Sequence, residues 1–226
     1  PLYNIQLEIK RDFPELNYEA IIADVRKEHI LEEVFKTHQP NVVYHAAAYK
    51  HVPLMERHPS EAIFANVLGS KNVADLAYRF KAEKFVMVST DKAVNPSNVM
   101  GASKRIAEMY VQALQQKVSK ENNTTTHFVT TRFGNVLGSN GSVVPLFKRQ
   151  IEEGGPLTIT HPDIIRYFMT IPEACQLVLE AGAMGNGGEI FIFDMGEAVK
   201  IIDLAKKIIR LAGFVSYKDI DIKVVG

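Results

Sequence analysis

The stretch from Ser89 to Lys104, Ser-Thr-Asp-Lys-Ala-Val-Asn-Pro-Ser-Asn-Val-Met-Gly-Ala-Ser-Lys, brings hydroxyls, a carboxylate and amines close together in the chain. Such groups hold and move protons when they converge on one substrate. The flanking sequence supplies the convergence. Lys84-Phe85-Val86-Met87-Val88 is a short apolar, β-favouring run that predicts a buried parallel strand ending at Ser89. Ligands of open α/β sheets sit at the carboxyl ends of strands, so Ser89, Thr90, Asp91 and Lys92 fall at a ligand-binding edge. Beyond the loop broken by Pro96, Ser97 or Asn98 can cap a helix that carries Met100 and Lys104 on one face. Strand end and helix face meet at one point.

Those elements belong to a longer alternation. Residues 1–14 read as a surface helix, 18–25 as a strand ending in Asp24-Val25, and 28–38 as an amphipathic helix. A strand over 41–44 runs into His45-Ala46-Ala47-Ala48, and a helix covers 59–80. After the helix that starts near 98 come a polar loop over 121–126, a strand over 127–133 and a glycine-rich loop over 134–142. A helix over 144–152, strands over 157–160, 189–195 and 220–225, and helices from about 172 and over 201–211 complete the chain. Alternating strands and helices with short loops define an α/β fold with a parallel sheet and crossover helices.

Composition narrows the function. Lys plus Arg and Asp plus Glu both number 26, so the net charge is zero, which argues against a general nucleic-acid binder. The single cysteine, Cys175, can form no internal disulfide and reads as a small apolar core residue of a helix in a reduced, cytoplasmic chain. No apolar run is long enough to span a membrane, and no His or carboxylate spacing resembles a metal site; His161 is an ordinary loop histidine. A dinucleotide fold normally opens with a Gly-x-Gly-x-x-Gly turn, and none is present. Gly134, Gly138 and Gly141 have another spacing and follow a late strand.

The Ser/Thr strand end followed by Met100-Gly-Ala-Ser-Lys104 resembles the short-chain dehydrogenase/reductase superfamily, in which a Tyr-x-x-x-Lys pair occupies these helix positions. Here Met100 stands in place of the tyrosine. Thr90-Asp91-Lys92 together with that motif is similar to the bacterial UDP-N-acetylglucosamine 4,6-dehydratases, specifically the large, membrane-anchored branch in which methionine replaces tyrosine. The resemblance implies NAD as cofactor, a UDP-sugar substrate, a homo-oligomer, and a cytoplasmic domain of a parent anchored in the bacterial inner membrane by segments outside these residues. It implies a partial NAD-binding Rossmann domain over 1–134, lacking its first two strands, and a mainly substrate-binding region over 135–226. In the 3-2-1-4-5-6 order the sheet is then expected to have a gap between the strands at 18–25 and 41–44. Marginal stability and weak NAD binding follow.

The same resemblance assigns roles. Asp91 is implied as acid for the departing water and Lys92 as base at C5. A lysine becomes a base when burial beside another cation drives off its proton, and Lys104 can supply that cation. Thr90 is placed to donate to the C4 oxygen, Lys104 to bond the nicotinamide ribose, and Ser89 to end the strand or touch cofactor. Asp24 and Val25 are expected near adenine, and His45, Ala46 and Ala47 at a close approach to the cofactor. Asn66 matches a structural asparagine that bonds backbone. Lys50, Asn135, Val143, Arg132 and Arg166 are the expected substrate contacts; Lys50 and its neighbour His51 could reach the pyrophosphate or substrate and are nearly as readily solvated loop residues, and Arg132 is as readily a surface or interstrand salt bridge. Met100 removes the usual base, so either Asp91, through Thr90 or a water, covers the first deprotonation, or the site is degenerate. A nucleotide-sugar epimerase and a non-catalytic nucleotide-sugar-binding domain remain as alternatives.

Overall fold

The structure, a computed structural model, describes residues 2–121 and 126–225. In order these form α1 (Leu2–Asp12), α2 (Glu28–His38), β1 (Val42–His45), α3 (Val52–Arg57) and α4 (Pro59–Ala62). A π-helical turn (Ile63–Leu68) leads into α5 (Gly69–Arg79), then β2 (Lys84–Thr90), a 3-10 turn (Asp91–Ala93), α6 (Val99–Val118) and β3 (His127–Phe133). The remainder comprises β4 (Asn135–Val136), α7 (Val143–Glu152), β5 (Leu157–Ile159), β6 (Ile165–Arg166), β7 (Phe168–Met169), α8 (Ile171–Met184), β8 (Ile190–Ile192), β9 (Val199–Lys200), α9 (Ile201–Leu211) and β10 (Ile222–Val224).

The main sheet is parallel, in the order β1-β2-β3-β8, with Val86 beside both Tyr44 and Val129. Its central strands alternate between two apolar faces. Phe85, Met87 and Phe128 point into one core with Leu31, Phe35, Leu76 and Val111 of the helices α2, α5 and α6. On the opposite face Gly182 of α8 lies so near Tyr44 and Val86 that a Cβ there would come within 2.9 Å of the Tyr44 hydroxyl. The result is a helix–sheet–helix sandwich, the expected solution for strands apolar on both faces. A smaller lobe packs α7 and α9 on the parallel pair β5 and β10 around Phe147, Leu157, Ala205 and Ile209. Short pairs β4–β7 and β6–β9 join the lobes.

Four expectations change, the simplest being that Cys175 on α8 is exposed and not in the core. Residues 18–25 make no strand: they run as extended coil into a turn, with Ile22 90% exposed. An alternating apolar pattern becomes a strand only where a neighbour accepts its hydrogen bonds, and here the Val25 carbonyl is taken by Asn72 Nδ2 at 3.0 Å. The sheet therefore has no internal gap; its four strands are contiguous and β1 is an open edge among the described residues. The helix foreseen over 59–80 contains the π-helical turn, which turns Asn66 into the interior. Most of the polar loop at 121–126 lies outside the described residues. No described helix is long and apolar enough to cross a membrane.

Candidate active site

β2 delivers its polar end as foreseen. Thr90 Oγ1 donates to Asp91 Oδ1 at 2.9 Å and accepts the Lys92 backbone N–H at 3.4 Å, which closes the 3-10 turn. Lys92 Nζ donates to Asp91 Oδ1 at 2.9 Å and to Asn135 Oδ1 at 3.3 Å. Hydroxyl, carboxylate and amine are thus one bonded unit. The helix α6 is locked to that unit by its own first turn. Asn98 caps it by accepting from the Gly101 N–H at 2.8 Å, and a Cβ on Gly101 would stand 2.2 Å from the Lys92 carbonyl oxygen. Only glycine permits that approach.

One turn further, Lys104 is 5% exposed and donates from Nζ to the Val88 carbonyl at 2.7 Å. Burial pushes its pKa down to about 8, and Glu108 partly offsets that fall. The lysine stripped of solvent is therefore Lys104, whereas Lys92 is paired with a carboxylate. Ser89 donates to Glu108 Oε1 at 2.6 Å. His45 is buried against Ser70, Nε2 to Oγ at 2.9 Å. Because the Ser70 hydroxyl donates to the Asn66 carbonyl, His45 must carry its proton on Nε2. Burial, and then the charge of Lys104, push the His45 pKa down to about 3, so the ring is neutral. Asn66 bonds both backbone groups of Tyr49 and the Ser103 hydroxyl, tying the loop after β1 to α6 as a structural asparagine.

These elements open onto a cleft of about 570 Å³ between the carboxyl edge of the main sheet and the smaller lobe. Of the residues singled out in the sequence, Ala46, Lys50, Ser89, Thr90, Lys92, Met100, Lys104, Asn135, Val143 and Arg166 line it. Asp91 is not among the lining residues but is exposed and bonded to Thr90 and Lys92, which are. Asp24, Val25, His45 and Ala47 are not among the lining residues. Asp24 pairs with Arg26, which holds its carboxyl down at about 2. Arg132 is a correction: its guanidinium is spent on the fully buried Glu108, Nε to Oε1 at 2.8 Å and Nη2 to Oε2, and does not face the cleft. Alternation along β3 turns it toward α6.

Sequence reasoning missed Glu108, although its spacing from Lys104 is the i, i+4 of one helix face. The sequence offers His51 only as a companion of Lys50; its ring lies where a Cβ on Gly141 would be, 2.5 Å from Cε1. That contact joins two loops distant in sequence, a pairing that no local pattern announces. Among the described residues no group of three or more His, Cys, Asp or Glu side chains could hold a metal ion.

A parallel α/β sheet with a polar cleft at its carboxyl edge defines the class: the fold is that of the extended short-chain dehydrogenase/reductases. The chain matches the family described as "Polysaccharide biosynthesis protein" over residues 1–226, and it belongs to that family. It is 58% identical over 213 residues to the capsular polysaccharide biosynthesis protein CapD of Staphylococcus aureus, covering 94% of this chain and 35% of that protein. A UDP-glucose 4-epimerase of Rickettsia rickettsii is 42% identical over 186 residues, 82% of this chain and 52% of its own length. The solved structure of Pen from Bacillus thuringiensis superposes with a TM-score of 0.87 at 33% identity, over 99% of this chain and 67% of that one. The chain thus spans about a third of the length of CapD.

Proposed function

We propose that the chain is the catalytic part of an NAD-dependent 4,6-dehydratase that converts UDP-N-acetylglucosamine to a UDP-4-keto-6-deoxy sugar for surface polysaccharide. The observation that carries this reading is the bonded unit Thr90-Asp91-Lys92, set against a cleft wall where Met100 offers no proton acceptor. A dehydration needs a base for the C4 hydroxyl, a base for the C5 proton and an acid for the C6 hydroxyl. An uncomplicated C4 oxidation needs only the first.

The cleft suits the nicotinamide half of NAD: Ala46 and Ala48 leave room beyond the end of β1, and Lys104 and Ser89 line the same space. Held there, NAD would supply the redox chemistry, oxidation at C4 and reduction at C6 by one hydride. Thr90 takes the C4 hydroxyl as hydrogen-bond partner and passes its proton to Asp91, along the 2.9 Å bond already in place. Asp91 then gives that proton to the C6 hydroxyl, which leaves as water. The Lys92 amine takes the C5 proton and later restores it. Protons and hydride balance, and the net change is one water lost. Arg166 and Lys50, which line the cleft, are read as the cations that meet the diphosphate, and Asn135 and Val143 as contacts of the sugar and uracil. The domain is read as cytoplasmic and oligomeric, within a parent anchored in the inner membrane.

The kinship to a Rickettsia protein named as an epimerase supports a second reading, inversion at the sugar through the same first oxidation. Incubating the full-length parent with UDP-N-acetylglucosamine and NAD, and following the sugar nucleotide by mass spectrometry and NMR, separates the two. Loss of one water supports dehydration. A new isomer of unchanged mass means epimerisation, and an untouched substrate despite NAD occupancy sinks both.

A further inference from the structure

Behind the cleft lies an acidic group that the proposed chemistry leaves idle. Glu108 is fully buried on α6, on the same face as Lys104 and one turn beyond it. Its oxygens accept from Ser89 Oγ at 2.6 Å, Arg132 Nε at 2.8 Å, Arg132 Nη2 and Arg105 Nη1 at 3.2 Å. A bare ion pair with Arg132 needs neither Ser89 nor this place beside Lys104, and a buried pair used for stability alone is replaceable by apolar side chains. The two ends of the arrangement grip adjacent residues of one strand: Lys104 holds the Val88 carbonyl, and Glu108 holds the Ser89 hydroxyl. Thr90-Asp91-Lys92 begins at the next residue.

We propose that Glu108 is the positioning residue of the cleft: its carboxylate clamps the end of β2 through Ser89 and keeps the Lys104 ammonium charged on the Val88 carbonyl. That the clamped lysine serves a cofactor rests on the dehydratase reading; the clamp itself does not. Without the carboxylate, Lys104, Arg105 and Arg132 would form a cluster of three cations with no anion inside it. The other groups facing this region do not replace it. His45 on β1 is neutral, Asp91 in the 3-10 turn is engaged by Lys92, and Lys50, His51 and Arg166 across the cleft add no negative charge. Burial pushes the Glu108 carboxyl up, but the bonds from Arg132, Ser89 and Arg105 outweigh it and leave the group below the ordinary carboxylate range, ionised at neutral pH.

The test reads Lys104 directly and needs no turnover. Trace acetic anhydride labelling of the folded chain across pH, with peptide mass spectrometry, gives the titration of each lysine; exposed Lys148 serves as reference. Lys104 is expected to titrate near pH 8. Glu108→Gln should move its midpoint down by roughly one unit or more, and Arg105→Gln, which removes a half-exposed cation, should move it up. Lys148 should stay in place in both. A Lys104 midpoint unmoved in a folded Glu108→Gln variant overturns the proposal. Should that variant fail to fold, Arg105→Gln decides alone, and a midpoint that stays or falls overturns it. Opposite shifts with no water lost from the sugar nucleotide would sink the dehydratase reading and leave the clamp standing.

Discussion

Thr90, Asp91 and Lys92 act as one group because each is bonded to another before any substrate arrives. Lys92→Ala leaves Asp91 and Asn135 without their amine and is expected to lower kcat by about 100-fold or more, the range for losing a positioned base. Stopped-time product analysis reads the change, and an unaltered rate removes Lys92 from the mechanism. On the proposed route, in which the first proton leaves through Thr90, Met100→Tyr should not accelerate turnover; a clear gain would show that route to be inadequate. Lys104 adds a pH signature. Its pKa is lowered from 10.5 to about 8 in the fold, so between those values the unfolded chain binds more protons than the folded one. Stability attributable to this lysine is therefore lowest below pH 8 and rises by about 3 kcal/mol as pH climbs to 10.5. Lys104→Met should flatten that rise in denaturant unfolding, and an unchanged slope would contradict the burial assigned to the ammonium.

At the scale of elements, the site depends on α6 touching the turn after β2. Gly101→Ala puts a methyl group 2.2 Å from the Lys92 carbonyl, and since that neighbour is backbone, helix and turn must separate. A loss of about 1–3 kcal/mol is expected by urea unfolding, with a fall in activity larger than that of Lys92→Ala alone. Wild-type stability in Gly101→Ala would mean that the contact is dispensable. The same region shows what a sequence makes legible. The apolar run at 84–88, the Asn98 cap and the i, i+4 pair Met100 and Lys104 are local patterns, and each led to an element that the structure contains and that lines the cleft. The segment 18–25 had the pattern of a strand and no partner to complete it, so pattern alone misled. Arg132 looked equally fit for a diphosphate or a salt bridge; only the fold brings Glu108 to it across 24 residues. Acidic unfolding carries a related long-range imprint. His45 is held neutral with a pKa of about 3, so the fold loses stability as pH falls below the ordinary histidine value of about 6.5, where only the unfolded ring takes a proton. His45→Gln should blunt that loss.

For the molecule as a whole, the cleft is walled by two lobes with separate cores, and residues of both reach the same space: Thr90 and Lys104 from the larger, Val143 and Ile201 from the smaller. Such a division suits a cofactor on one side and a nucleotide sugar on the other. Within these 226 residues no Gly-x-Gly-x-x-Gly turn is present to seat a pyrophosphate on a helix N-terminus. These residues alone are expected to bind NAD more weakly than ~1 μM by calorimetry, and nanomolar affinity would contradict that. The central claim is that one hydride leaves C4 and returns at C6 while water departs, with Thr90, Asp91 and Lys92 moving the protons. The most direct measurement uses UDP-N-acetylglucosamine carrying deuterium at C4, turned over by the full-length protein, with the label located by NMR. The expected product is lighter by one water and carries the deuterium on its C6 methyl group. Deuterium still at C4, with no water lost, would contradict it.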